Sequence, residues 1–143
     1  MKKTLTFLML MLCCIGFVFA NPVDSKVAKK VALNFLKTTE KAAADLQEEY
    51  LVDITATTPF HEFYIFSIRN RSGFLVVSGD DGAMPILGYS LSNTFVSEGM
   101  PAQVREWLES YEAQIVSIRE QGLAPSEQVA RQWQQYGSEE CLP

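Results

Sequence analysis

The apolar positions of the chain recur with a helical period near its start and again towards its end. The first stripe follows Asp24 and Ser25, either of which can cap a helix, and its members are three and four residues apart. The second follows Pro101, which suits a first helical turn, and runs until Gly122. The stripes comprise Val27, Ala28, Val31, Ala32, Phe35 and Leu36, and then Val104, Leu108, Tyr111, Ile115 and Ile118. The sequence therefore predicts an N-terminal and a C-terminal amphipathic helix.

Between the two helices, four β-rich runs are separated by turn residues. They span residues 50–54, 63–69, 74–78 and 85–90. The second and third runs flank a short turn at 70–73 and form the clearest hairpin, and Gly88 marks a bulge or a close backbone approach. We therefore predict an α+β fold, in which an antiparallel sheet of about four strands packs against an N-terminal and a C-terminal helix.

The aromatic run at 63–66 offers apolar side chains to both faces of this sheet. Two interpretations follow. Either the core of the domain covers both faces, or one face is a surface that becomes buried against a partner. The pattern by itself favours neither.

The first twenty residues have the pattern of a secretory signal peptide. Lys2 and Lys3 precede an apolar stretch that ends near the small residue Ala20, and polar sequence follows at once. The stretch is too short for a membrane-spanning helix. We expect cleavage after Ala20, a secreted or periplasmic location and no membrane anchor. Loss of the two lysines would change the formal charge from −5 to −7.

Charge and cysteine content narrow the function classes. An acidic domain without basic clusters is a poor candidate for binding nucleic acid or anionic membranes. Cys13 and Cys14 leave with the signal peptide, so Cys141 has no internal disulfide partner. A thiol protease needs a cysteine and an imidazole that meet, and nothing in the pattern would hold Cys141 beside His61. Zinc-ligand spacing is also missing, so we predict a non-catalytic domain without metal or cofactor.

Two acidic features could suggest chemistry. Adjacent Asp80 and Asp81 lie between the third and fourth strands, but neighbouring side chains on extended chain point opposite ways, and the spacing of a calcium loop is missing. We interpret residues 79–82 as a turn whose aspartates accept backbone N–H groups. The row Glu106, Glu109 and Glu112 is interpreted as the solvated face of the C-terminal helix.

The predicted elements carry recognisable strings in a fixed order. These are NFL at 34–36, FYIFSI at 63–68, GFLVVSGDD at 73–81, PILGYS at 85–90 and WLESY at 107–111. Over roughly residues 24 to 121, this order resembles the pro-domain of streptopain-type bacterial cysteine proteases and the free-standing inhibitors related to that pro-domain. The resemblance implies an α+β domain that docks on a papain-like catalytic domain and keeps its catalytic Cys and His from a productive arrangement.

The same resemblance implies a contact site. In this family the segment after the fourth strand faces the protease active site, and here that segment is 91–100. The inhibitory contacts are therefore expected at Ser92, Asn93, Thr94 and Phe95, and more weakly at 96–99. The family often has an aspartate after the phenylalanine, whereas this chain has Val96. Tyr89 and Trp107 are further candidate anchors, with core packing as the alternative for both.

The resemblance also divides the chain. Residues 1–20 are the signal peptide, 21–121 the inhibitor-like domain, and 122–143 a polar linker or tail in which 124–126 can cap a short helix through Tyr136. A full precursor would continue into a catalytic domain with a glycine-cysteine-valine-alanine-like motif, which this sequence lacks. Three functions stay open: a pro-domain or stand-alone inhibitor of a streptopain-type cysteine protease, a truncated fragment of a thiol protease precursor, and a secreted binding or adhesion module on the same fold.

Overall fold

The computed structural model describes residues 19–40 and 43–138. Most of the predicted signal peptide and Cys141 lie outside these ranges. Within these ranges, three helices and four strands follow one another, and two short 3-10 helices, Glu48–Tyr50 and Thr55–Thr57, flank the first strand. The main elements are α1 (Ser25–Thr39), β1 (Leu51–Asp53), β2 (Phe63–Ile68), β3 (Phe74–Ser78), β4 (Ile86–Ser90), α2 (Ala102–Gln121) and α3 (Glu127–Gly137).

The strands form one antiparallel sheet in the order β1-β2-β3-β4, which confirms the predicted meander. The β2–β3 connection contains two positive backbone angles, with φ of 63° at Asn70 and 139° at Gly73, and asparagine and glycine are the residues that adopt such angles most readily. The register of β3 against β4 shifts between Val76 and Val77, opposite the segment that contains Gly88. The predicted irregularity at Gly88 is therefore present.

Strand β1 is shorter than the predicted run at 50–54. The carboxylate of Asp53 accepts hydrogen bonds from the Thr55 backbone N–H at 2.9 Å and from the Thr55 hydroxyl at 2.6 Å. These bonds turn the chain into the 3-10 helix that follows, since a local side-chain acceptor competes with the ladder of the sheet.

Each face of the sheet carries its own helix. Helix α1 begins where the sequence predicts, because the Asp24 carboxylate accepts the Val27 N–H at 2.9 Å, and it packs on one face. Helix α2 ends at Gly122 in the left-handed conformation, with φ of 59°, and packs on the other face through Leu108 and Ile115. The alternating residues of β2 therefore divide between two cores, and the aromatic run belongs to the interior of the domain.

A third helix completes the fold. Ser126 caps α3 by accepting the Val129 N–H at 3.3 Å, as the residues at 124–126 predict. The helix lies against α1, where the Asn34 side-chain amide donates to the Tyr136 carbonyl at 2.7 Å. Trp133 donates its indole N–H to the Ala83 carbonyl at 2.7 Å. The described part of the segment assigned to a linker or tail is thus a packed helix, and the boundary at residue 122 stays a prediction.

In the described parts of the chain, no helix combines the length and the apolar character that a membrane crossing requires.

Candidate binding site at the loop after the fourth strand

The loop at 91–101 connects β4 to α2 and begins with a fixed turn. The Ser90 hydroxyl accepts the backbone N–H of Asn93 at 3.1 Å and that of Ser92 at 3.4 Å. A serine at the end of a strand commonly orders the next residues in this way. The side chains of Ser92, Asn93 and Thr94 are consequently exposed on a backbone that the domain itself holds.

Phe95 has a different environment from the three polar residues before it. Its ring packs edge-on against Phe74, with ring centroids 5.3 Å apart and an interplanar angle of 75°. This is a favourable geometry for two aromatic rings, and it leaves Phe95 half-buried. Val96, directly after it, is 59% exposed. Phe95 therefore anchors the loop to the sheet while its neighbours on both sides face solvent.

A groove of about 410 Å³ lies between this loop and the first half of α2. Three of the four expected contact residues, Asn93, Thr94 and Phe95, line it, and Ser92 lies outside the lining. The remaining lining residues are mostly apolar: Phe74, Val76, Ser90, Val96, Met100, Pro101, Val104, Trp107 and Leu108. An apolar groove beside a few exposed polar groups is the usual form of a recognition site.

Trp107 forms one wall of the groove. A Cβ built at Gly88 would lie 2.5 Å from Cη2 of the indole, so the glycine gives the ring access to the surface of β4. Tyr111 supports the indole edge-on, with centroids 5.0 Å apart. Trp107 nevertheless remains 41% exposed. The Trp107 side chain is therefore packed against the sheet and partly exposed to solvent at the same time.

Tyr89, the other candidate anchor, lies elsewhere. Its ring packs edge-on against Phe35 of α1, with centroids 4.9 Å apart, on the face of the sheet opposite the groove. Tyr89 is 47% exposed. Tyr89 therefore lies away from the loop, whereas Trp107 lines the same groove as the loop residues.

The groove is the feature that sequence reasoning missed. Two signals were available: a glycine in the middle of β4, and the four-residue spacing of Val104 and Leu108 on α2. Neither indicates which helix approaches Gly88, because that contact joins residues far apart along the chain.

The acidic turn at 79–82 is part of the scaffold. Asp80 is completely buried, and its Oδ1 accepts the Gly82 N–H at 2.9 Å. Its Oδ2 lies 3.4 Å from Nε of Arg119, which also pairs with Glu62 at 2.8 Å. Burial lowers the pKa of the Arg119 guanidinium, but the hydrogen bonds that it donates to Glu62 and Asp80, together with the attraction of their negative charges, outweigh burial and raise the pKa. Within 19–40 and 43–138, no group of three or more His, Cys, Asp or Glu side chains could hold a metal ion.

Glu112 corrects one expectation from the sequence. Its Oε1 accepts the backbone N–H of His61 at 2.6 Å and of Glu62 at 3.2 Å. The interpretation of the glutamate row as a solvated face is wrong at this position, although Glu106 and Glu109 are exposed. Glu112 ties α2 to the segment that enters β2, on the same face as the groove but nearer the middle of the helix.

The structure is a small α+β domain with an ordered loop beside an apolar groove. Residues 20–115 match the family model described as Spi protease inhibitor. That match covers more than half of the chain, and the chain belongs to this family.

Two relatives show where this domain occurs. The thiol protease/hemagglutinin PrtT of Porphyromonas gingivalis is 27% identical over 121 residues, a match that covers 82% of this chain and 14% of that protein. Streptopain of Streptococcus pyogenes is 34% identical over 128 residues, covering 80% of this chain and 32% of that protein. The chain therefore spans a third or less of the length of these curated relatives. No solved structure matches the chain.

Proposed function

We propose that this chain is a secreted or periplasmic non-catalytic domain that binds and silences the catalytic domain of a streptopain-type cysteine protease. The observation that carries the proposal is the ordered loop at 92–95 beside an apolar groove, on a domain of the Spi protease inhibitor family. The match to the thiol protease PrtT and to streptopain indicates the class of enzyme to be bound.

The proposed contact has a polar and an apolar part. Ser92, Asn93 and Thr94 enter the active-site cleft, where they occupy the space of a substrate and separate the catalytic Cys from its His. Because the Ser90 hydroxyl already orders the backbone of this turn, little conformational entropy is lost on binding. This preorganisation favours tight binding by a short loop.

The groove supplies the second part. An apolar side chain of the enzyme inserts between Phe95 and Trp107, where removal of both surfaces from water provides the main favourable free energy. Trp107 is the expected hot spot, since a half-exposed tryptophan on a rigid support fits the usual composition of binding hot spots.

An inhibition assay tests the proposal directly. Residues 21–143 are titrated into an active-site-quantified streptopain-type protease, and the inhibition constant is measured with a peptide substrate. Asn93→Ala should weaken inhibition by about tenfold or more, with thermal stability unchanged because the side chain is exposed. Met84→Ala is the matched control, since it removes a 37% exposed side chain at the opposite end of the sheet.

Phe95→Ala needs a stability measurement beside the inhibition constant, because the ring packs on Phe74. Phe95→Leu retains apolar contact and should preserve more of the stability than of the inhibition. Lack of inhibition by the unmodified domain, or equal inhibition constants for Asn93→Ala and Met84→Ala, would contradict the proposed loop.

A further inference from the structure

The segment at 21–23 lies along the acidic turn and is bonded to it at both ends. The backbone N–H of Asn21 donates to Oδ1 of Asp81, and its side-chain amide donates to Oδ2 at 3.3 Å. In return, the Asp81 N–H donates to the Asn21 carbonyl at 3.0 Å, and the Val23 N–H donates to the Gly79 carbonyl at 2.8 Å. The Asp81 carboxylate therefore faces the nitrogen of Asn21.

That nitrogen changes its chemistry if the chain is cut after Ala20, as the signal-peptide pattern predicts. Signal peptidase would add water across the Ala20–Asn21 peptide bond. The Ala20 carbonyl would leave as a carboxylate, and the Asn21 nitrogen would become a free amine that takes up a proton at neutral pH. We propose that Asp81 is the binding site for this newly formed α-ammonium group of the chain itself.

The folded domain should become more stable because the new ammonium group is charged. A hydrogen bond between an ammonium and a carboxylate is stronger than one between a neutral amide and a carboxylate. Arg119 is placed against Asp80 and Glu62, so Asp81 is the carboxylate of the turn that receives Asn21. The ion pair forms only after processing, so removal of the signal peptide should strengthen a docking that the hydrogen bonds of Asn21 and Val23 already provide.

The docked segment connects the β3–β4 turn to the start of α1 and also contacts β2. Three residues after Asn21, Asp24 caps α1, and the Tyr64 hydroxyl of β2 donates to the Val23 carbonyl at 2.8 Å. The ammonium would thus secure the start of α1 and the turn between β3 and β4 together. This inference depends on cleavage after Ala20 and is independent of the proposed inhibitory function.

The pairing predicts a pH dependence with a definite sign. Pairing favours the charged form, so the pKa of the ammonium in the folded state should exceed its unfolded value of about 8. Its stabilising effect is complete below the unfolded pKa and is lost as the pH rises through the folded pKa. Other titratable or charged groups that contact the docked segment, the turn or their partners are Asp24, Glu62, Tyr64, Asp80 and Arg119.

The test compares residues 21–143 with a free and with an acetylated N-terminus. Both forms contain the same surrounding groups and both lack Phe19 and Ala20, so their difference isolates the ammonium. The free form should melt about 3 °C or more above the acetylated form at pH 6.5, and the difference should vanish at pH 10. In Asp81→Asn the difference at pH 6.5 should fall below about 1 °C.

Three results from the purified domain would overturn the inference: an equal difference in Asp81→Asn, no difference in the unmodified sequence, or an α-amino pKa at its ordinary value in an NMR titration of the folded domain. The titration needs no variant, so it decides the matter even if Asp81→Asn folds poorly. Mass spectrometry of the exported protein must also find Asn21 as the first residue, and another cleavage site would overturn it as well.

Discussion

Gly79 follows β3 directly, at a point where two backbone segments are in close contact, and alanine at this position should destabilise the domain. A Cβ there would lie 2.6 Å from the Glu62 carbonyl oxygen and 3.2 Å from its carbonyl carbon. Both distances are well inside normal contact, and backbone atoms cannot rotate away as the end of a side chain can. The Gly79 N–H donates to that same oxygen at 2.9 Å, and the Gly79 carbonyl accepts from Val23.

The expected loss in the free energy of unfolding is the sum of three effects. Overpacking a tight site costs about 1–3 kcal/mol. Distortion of the two backbone hydrogen bonds adds about 1 kcal/mol. Alanine restricts the unfolded chain, which returns about 0.4–1 kcal/mol. The free energy of unfolding of Gly79→Ala should therefore fall by about 1–3.5 kcal/mol, which lowers the melting temperature by about 4–14 °C in a domain of this size.

Urea unfolding followed by circular dichroism measures the change, and a constant slope against urea shows that the midpoints are comparable. Gly137→Ala is the matched control, because nothing lies within 4 Å of a Cβ at that position in the last turn of α3. It should leave the stability unchanged or raise it slightly. A Gly79→Ala protein as stable as this control would refute the close-approach reasoning.

Two further predictions concern polar contacts of the scaffold. Glu112→Ala should lower the free energy of unfolding in urea by about 1–2 kcal/mol, because two backbone N–H groups before β2 lose their acceptor. Glu112→Gln should lose less stability, and equal stability of Glu112→Ala and the unmodified domain would contradict this prediction. Partial burial raises the pKa of Asp53, but hydrogen bonds from Thr55 and Ser25 outweigh it and hold the pKa below its usual value. Its stabilising effect is therefore present above about pH 4 and is lost as the pH falls through the folded pKa, so Asp53→Asn should flatten the acid side of a melting-temperature profile; an unchanged acid limb would rule that contribution out.

Local signals account for most of what the sequence predicted correctly. The start of α1 depends on Asp24 and a residue three positions later, and the end of α2 depends on Gly122. The β2–β3 hairpin depends on four turn residues. Each of these features is decided within one or two turns of chain, where spacing and residue type are sufficient.

The misjudged or missed features are those that depend on distant partners. Glu112 has the spacing of an exposed helical residue, yet the two backbone N–H groups that donate to it lie 51 and 50 positions earlier in the chain. Asp81 accepts a backbone N–H group as expected, but the sequence did not indicate the donor, Asn21, which is 60 positions away. Side-chain type predicts that such a carboxylate will accept hydrogen bonds, but only packing decides from which segment.

The sequence by itself determined the class of fold and the family resemblance, because periodicity, caps, turns and short sequence strings are local properties. The contact site at 92–95 is implied by that resemblance and stays a prediction. Only the tertiary structure placed α1 and α2 on opposite faces of the sheet, opened a groove between the loop and α2, and set Trp107 against Gly88. The physical reason is that apolar burial is non-directional: the pattern states which side chains leave water, and the shapes of the packed elements decide where they meet.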